Sequence, residues 1–343
     1  MRACRTLRAL GHRVGHTRLA RGVLALCLGL VVAAGTPSIT RAQATARADL
    51  ATLDYRLQAR ELAPGVYVVE GDNADFTPAN GCNIINTGFI VTSAGVLVIN
   101  TGPSRRYGEQ LRALIARTTD RPVAQVLHLN LHPDYFLGNQ AFADVPRWAT
   151  AATRAGMARE AAAYETNLYR LCGDWMKGTE HLLPDRDADV MVRAGRWVLG
   201  EREFELHELR GHTDSDLVLT DRRSGIVFAG GLVFAQRVPT TPHAQVGPWL
   251  ASLAQAERLG WRTVVPSHGP VHTDGSGLAG TRAYLEWLDR SFASFAEQGW
   301  DMNEVLRAPV PLPYGRWAAF DTEYVRNVAH LYPRYERAAL RRR

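Results

Sequence analysis

The chain has 343 residues, 46% of them hydrophobic, with 40 basic and 34 acidic side chains and a formal net charge of +6. That length and apolar share predict a sizeable core, enough for one large α/β domain with an extension. The basic excess is local. Seven arginines and no acidic residue lie in the first 44 positions, and taking them from the 40 basic residues leaves 33 against 34 acidic ones, about −1. The charge therefore gives no argument for a nucleic-acid partner.

Arg2, Arg5, Arg8, Arg13, Arg18, Arg21 and Arg41 frame an apolar run from Gly22 to Gly35, followed by Ala42-Gln43-Ala44. A basic start, a short apolar core and a small-x-small site predict a cleavable secretory signal over 1–44, cut near Ala44. The core is too short to span a bilayer, so no membrane anchor is expected after cleavage. The expected location is periplasmic or secreted. Cys4 and Cys27 would leave with the signal. Cys82 and Cys172 would remain, and the sequence leaves open whether they pair or stay as buried thiols.

Residues 45–60 read as a polar lead-in. Short β-branched runs follow at 66–69, 84–87, 89–92 and 96–99, with Ser93-Ala94-Gly95 as a hairpin turn. Tyr107, Leu111, Leu114 and Ile115 recur at helical spacing, so a helix is expected over 105–117. A strand over 123–131 comes next, then helix over 149–177. The second half repeats the plan with strand pairs 196–199 with 204–209 and 217–220 with 226–229, a helix near 247–259 and a strand at 263–266. This order predicts a four-layer αββα sandwich over 45–275. Residues 276–343 read as a helical extension packed on it, interrupted at Ala308-Pro309-Val310-Pro311-Leu312-Pro313. Tyr324 to Leu331 reads as core packing.

Three strand ends carry chemistry. Asn130, His132 and Asp134, in Asn130-Leu131-His132-Pro133-Asp134-Tyr135, are two apart and can converge on one point, as ligands of a hard or borderline metal must. A lone His-x-Asp is ordinarily a strand ending in a turn. Here Gly211-His212-Thr213 and Ser267-His268-Gly269 also place histidines at strand ends, beside residues that let backbone approach an ion.

This order and context resemble the metallo-β-lactamase superfamily of zinc hydrolases over about 60–275. Segments 104–108 and 239–243 resemble more narrowly the periplasmic branch found beside quinoprotein dehydrogenases and sulfur-oxidation systems. The chain departs from the family pattern at Asn130 and Tyr135, where histidines are usual, and at Gly231 and Asn100, where aspartates are usual. By resemblance the metal ligands are His132, Asp134, His212 and His268. They imply one zinc ion in preference to two, with iron or manganese as alternatives. Asp134 is expected as ligand or base, Asn130 as a residue orienting water or substrate, and Tyr135 as a hydrogen-bond donor to developing charge or as packing beneath the site. His243 reads first as a surface residue and second as a completing ligand, His128 as a core histidine bonded to backbone. Asp214 and Asp216 read as turn caps or as partners of the ligands. The Asn- and Gly-rich loop 73–83 is placed to cover the site.

The implied activity is metal-dependent hydrolysis of a small-molecule thioester, amide or related substrate, tied to a quinoprotein dehydrogenase system or sulfur metabolism. The competing expectations are a non-catalytic periplasmic accessory module on the same fold and a class B β-lactamase-like activity.

Overall fold

The computed structural model describes residues 52–342, so the expected signal segment lies outside the described residues. One sheet has seven strands, in the same order in space as in sequence: β1 (Arg60–Ala63), β2 (Val66–Val69), β3 (Thr87–Thr92), β4 (Gly95–Ile99), β5 (Val123–Leu127), β6 (Arg147–Ala149) and β7 (Arg186–Asp187). Pairing is antiparallel up to β4 and parallel from there on. Parallel neighbours need a crossover, which α1 (Arg105–Thr118) supplies between β4 and β5. Ser104 caps that helix by accepting from the Tyr107 backbone N–H.

The second sheet holds β8 (Trp197–Leu199), β9 (Arg202–Leu209), β10 (Asp216–Asp221), β11 (Ile226–Phe228) and β12 (Thr263–Val265), ordered β12-β11-β10-β9-β8. Here α5 (Val246–Ala256) is the crossover to the parallel strand β12.

Alternation along the strands sorts side chains between layers. Leu97 and Ile99 of β4 face the core between the sheets with Leu127, Leu217, Leu219, Ile226 and Phe228. Val96 and Val98 face the other way, packing with Leu111 and Ile115 of α1. In the second sheet Val218, Val227 and Val264 turn outward onto Trp249 and Leu253 of α5. Strands apolar on both faces are what a sheet covered on both sides requires, and the four-layer sandwich follows.

The outward face of the second sheet also meets α6 (Ser276–Gln298) and α9 (Phe320–Arg342), with α7 (Met302–Arg307) and α8 (Leu312–Gly315) between them. Tyr324, Val328 and Leu331 of α9 enter this cluster with Leu285 and Leu288 of α6. The break expected at 308–313 separates α7 from α9, though Leu312 and Pro313 open α8. Among the described residues no helix is long and apolar enough to cross a membrane.

Three expectations need amending. The lead-in ends in β1, which runs into the hairpin with β2. Residues 84–86 are not strand: the Asn86 N–H donates to Ser267 O at 2.8 Å, and its side-chain amide donates to Pro266 O and Gly269 O at 3.0 and 2.8 Å. The segment is thus spent on the loop carrying His268, and only Thr87 onward is free to pair. Helix over 149–177 is realised as α3 (Ala151–Cys172), after which a 3-10 turn takes Gly173–Met176.

Cys82 and Cys172 form a disulfide, closing a separation of 90 positions with Cα atoms 5.9 Å apart. It ties the loop 73–83 to the end of α3, within a cluster holding Leu131, Phe136 and Met157.

Candidate active site

The motif residues come from loops at one edge of both sheets. The His128 N–H still reaches the Trp148 carbonyl of β6 at 2.9 Å, but from Leu129 on the chain bonds outside the ladder, and β5 ends at Leu127. The Asn100 Oδ1 accepts from the Leu129 N–H at 3.1 Å, and the Leu129 carbonyl accepts from Leu217 N at 2.9 Å, joining the two sheets. Asn100 holds a left-handed backbone with φ 59°, which asparagine tolerates better than most residues. His132 then stands at the N-cap position of the short helix α2 (Pro133–Phe136), with Pro133 at its first position and Asp134 in its first turn.

The four side chains expected as ligands meet in two pairs. The His268 Nε2 lies 3.0 Å from the Asp134 Oδ2, both side chains almost wholly buried. The rings of His132 and His212 meet edge to face with centroids 4.6 Å apart. Phe234 joins the pairs, stacked on His268 at 4.9 Å and edge-on to His212 at 5.1 Å. His132, Asp134 and His268 open onto a cavity of about 360 Å³ that Tyr164, Arg237 and Arg326 also line. A cleft of about 540 Å³ beside His272 and Trp317 is larger but holds none of the motif residues.

Burial sets the charge state. Desolvation pushes the His132 imidazole well below its ordinary range, and the neighbouring His212, His243 and His268 push it further. His268 is lowered to about 4, again by burial first, with Asp134 opposing. These imidazoles are therefore neutral near pH 7, as metal ligands must be.

The residues standing at the departures have other work. Asn130 is fully buried and its amide is spent within the protein: Nδ2 donates to the Asp216 Oδ1 at 2.6 Å, and Oδ1 accepts from the His132 N–H at 3.0 Å. Gly231 leaves space that the His212 ring fills, since a Cβ there would lie 2.3 Å from His212 Nδ1 and 2.7 Å from Asn130 Nδ2. Tyr135 packs into the core between the sheets, its hydroxyl buried without a hydrogen-bond partner. Burial raises that phenol well above its ordinary pKa, and Asp134 adds to the rise.

Asp216 accepts from the backbone N–H groups of His212 and Thr213 at 3.1 and 3.0 Å and so fixes the loop that presents His212. Asp214 accepts from the Gln245 side chain instead. His128 is a buried core histidine, its Nδ1 3.1 Å from the Tyr135 carbonyl. His243 is no bystander on the surface: its Nδ1 lies 3.1 Å from the His132 Nε2. From the covering loop, Phe76 lines the cavity and Asp75 pairs with Arg326 at 3.3 Å.

The family model of the metallo-β-lactamase superfamily matches residues 80–268, more than half of the chain. The protein belongs to the metallo-β-lactamase superfamily. No curated protein matches it. Among solved structures, a metallo-β-lactamase from Pontibacter korlensis is similar at 22% identity and TM-score 0.52, covering 67% of this chain and 99% of that one. A metallo-β-lactamase from Hirschia baltica gives 17% identity and TM-score 0.53, covering 67% and 97%. At such identity these likenesses concern the fold.

Metals are usual in the metallo-β-lactamase superfamily, so the donor set has to be weighed for one. Among the described residues no three His, Cys, Asp or Glu side chains are gathered as a ready ligand group. A two-metal centre does not fit, because Asn130 is turned into the protein and Gly231 brings no donor. One ion fits better. The His212 Nε2 is buried without a partner, an orphan that a Lewis acid would satisfy, and Asp134 offers an anionic donor beside His132, whereas both ring nitrogens of His268 are engaged, by Asp134 and by the Ser267 hydroxyl.

Sequence reasoning missed the far wall of the cavity. Arg237, Glu323, Arg326 and His330 line it, three of them from α9. The α9 periodicity marked its apolar face as core, and nothing in the sequence said which polar face would turn toward His132.

Proposed function

We propose that the protein is a periplasmic hydrolase that uses one metal ion, zinc first, on a small thioester, amide or related carbonyl compound. The observation that carries this reading is the meeting of His132, Asp134 and His268 on one cavity, with the buried, unpartnered Nε2 of His212 on a ring packed against His132. A bound ion would supply Lewis acidity and a water acidic enough to ionise near neutrality. The residues supply the rest. Asp134 opens onto the cavity, where it can orient water, and its Oδ2 accepts a hydrogen bond from His268. Ser267, whose Oγ is 2.9 Å from His268 Nδ1, fixes that ring from behind. Asn130 acts through Asp216 and the His132 backbone, and the buried Tyr135 supports the site from beneath. Oxidising conditions suit the Cys82–Cys172 pair, which supports an extracytoplasmic location. Service to a quinoprotein dehydrogenase system or to sulfur oxidation rests on the likeness of segments 104–108 and 239–243 alone.

A second reading, a non-catalytic accessory module, is favoured by the absorbed amide of Asn130 and the missing donor at Gly231. Elemental analysis of the purified protein separates the two. About one zinc per chain, lost in His132→Ala and in His212→Ala, together with turnover in a panel of thioesters and β-lactams, is expected. Folded protein without zinc, iron or manganese and without turnover would leave the accessory reading standing.

A further inference from the structure

His243 sits on the loop after Gln236, and its Nδ1 faces the His132 Nε2 at 3.1 Å. A hydrogen bond at this distance needs one proton between the two nitrogens, and either ring can carry it. The other side of His243 decides which. Its Nε2 lies 3.9 Å from Oε1 of the Glu160 carboxylate of α3, an oxygen that also accepts from the Arg159 Nε at 3.0 Å, so this link is electrostatic and not a hydrogen bond. Were the shared proton on His243 Nδ1, the neutral ring would turn the Nε2 lone pair toward a carboxylate, and the two would repel. With the proton on His132 Nε2, His243 Nδ1 accepts and its Nε2–H points at Glu160, so both contacts are favourable. His132 is then left with its Nδ1 lone pair free.

We propose that His243, backed by Glu160, is a positioning residue that holds His132 in the Nε2–H tautomer and so presents Nδ1 as the donor at the metal-binding end of the cavity. The functional part of this inference rests on the one-ion reading above, whereas the tautomer itself does not. Asn130 cannot serve here, because its amide is committed to Asp216 and to the His132 backbone. Partners of this kind orient a ligand imidazole and raise its basicity, and losing one typically costs about 10–100-fold in metal affinity. The partner comes from the loop ahead of α5 and from α3, far from His132 in sequence, and its ring is about a quarter exposed, so the contact can be altered without opening the core.

Long-range proton–nitrogen NMR of the His132 ring in metal-free protein reads the tautomer directly. Zinc affinity by competition with a chromophoric chelator reads its consequence. The wild type is expected to show protonated Nε2 and unprotonated Nδ1. His243→Leu, which cannot accept, is expected to give mixed tautomers and zinc binding weaker by about 10–100-fold. His243→Gln, whose side-chain oxygen accepts from the same N–H, is expected to restore both within a few-fold, which a purely structural role would not predict. A wild-type His132 protonated at Nδ1, or a His243→Leu protein with unchanged tautomer or unchanged zinc affinity, overturns the proposal. Wild-type protein that binds no zinc removes the one-ion reading and with it the affinity claim, while the NMR result still decides the tautomer.

Discussion

Gly231 shows how one position can fix what a site is able to hold. The His212 ring, the Asn130 amide and the Asp216 carboxylate all lie within 2.8 Å of where a Cβ would stand. These three side chains are buried, and the Asn130–Asp216 pair is hydrogen-bonded, which leaves little room to yield, so Gly231→Ala is expected to cost about 1–3 kcal/mol, read by urea denaturation. For the same reason Gly231→Asp, which restores the residue type usual in the family, is expected to lower stability further without raising the metal content above one per chain. A stable Gly231→Asp protein holding two ions would show that His212 and Asn130 yield easily. That His132, Asp134, His212 and His268 would come near one another was legible from motifs at strand ends, with His212 and His268 beside Gly, Ser or Thr. The roles of Asn130 and Tyr135 were not, because one residue of sequence does not say whether a side chain turns toward a cavity or into the layer beneath.

At the scale of elements, apolar runs located the strands that fill the sandwich, since Val96–Ile99 and Leu217–Thr220 are buried on both faces. Short strands such as β6 and the edge strand β7 exist through pairing alone, and three or two residues carry no periodicity. The disulfide belongs to this scale. It joins the cavity-covering loop to α3, and Cys82 itself holds a left-handed φ of 64°. Replacing both cysteines with serine is expected to cost about 2–4 kcal/mol, because the unfolded chain regains the freedom of a long loop. A melting curve unchanged by reducing agent and by the double substitution would show that the surrounding Leu131–Phe136–Met157 packing holds the loop unaided.

For the whole molecule, burial of neutral imidazoles sets the response to acid. His128 is lowered from 6.5 to about 3, chiefly by desolvation, in a place with no carboxylate partner. Below pH 6.5 the unfolded chain takes up a proton there that the folded chain refuses. Stability from this group is therefore whole above 6.5 and falls as the pH drops toward 3, by about 1.4 kcal/mol per unit. Urea denaturation between pH 4 and 6 is expected to show this slope, and His128→Gln to flatten it by about one proton. An equal slope in both proteins would mean that His128 titrates normally.

The order of apolar runs and turn residues determined the αββα sandwich, because alternation with period two and helical spacing are local properties of the chain. Strand-end histidines likewise announced where the site would form. Tertiary structure alone decided the far wall from α9, the Glu160–His243–His132 chain, the disulfide and the turn of Asn130 away from the cavity. Each of these depends on the direction in which a side chain points after distant segments have packed, and that direction is set by excluded volume and hydrogen-bond satisfaction across the assembled layers.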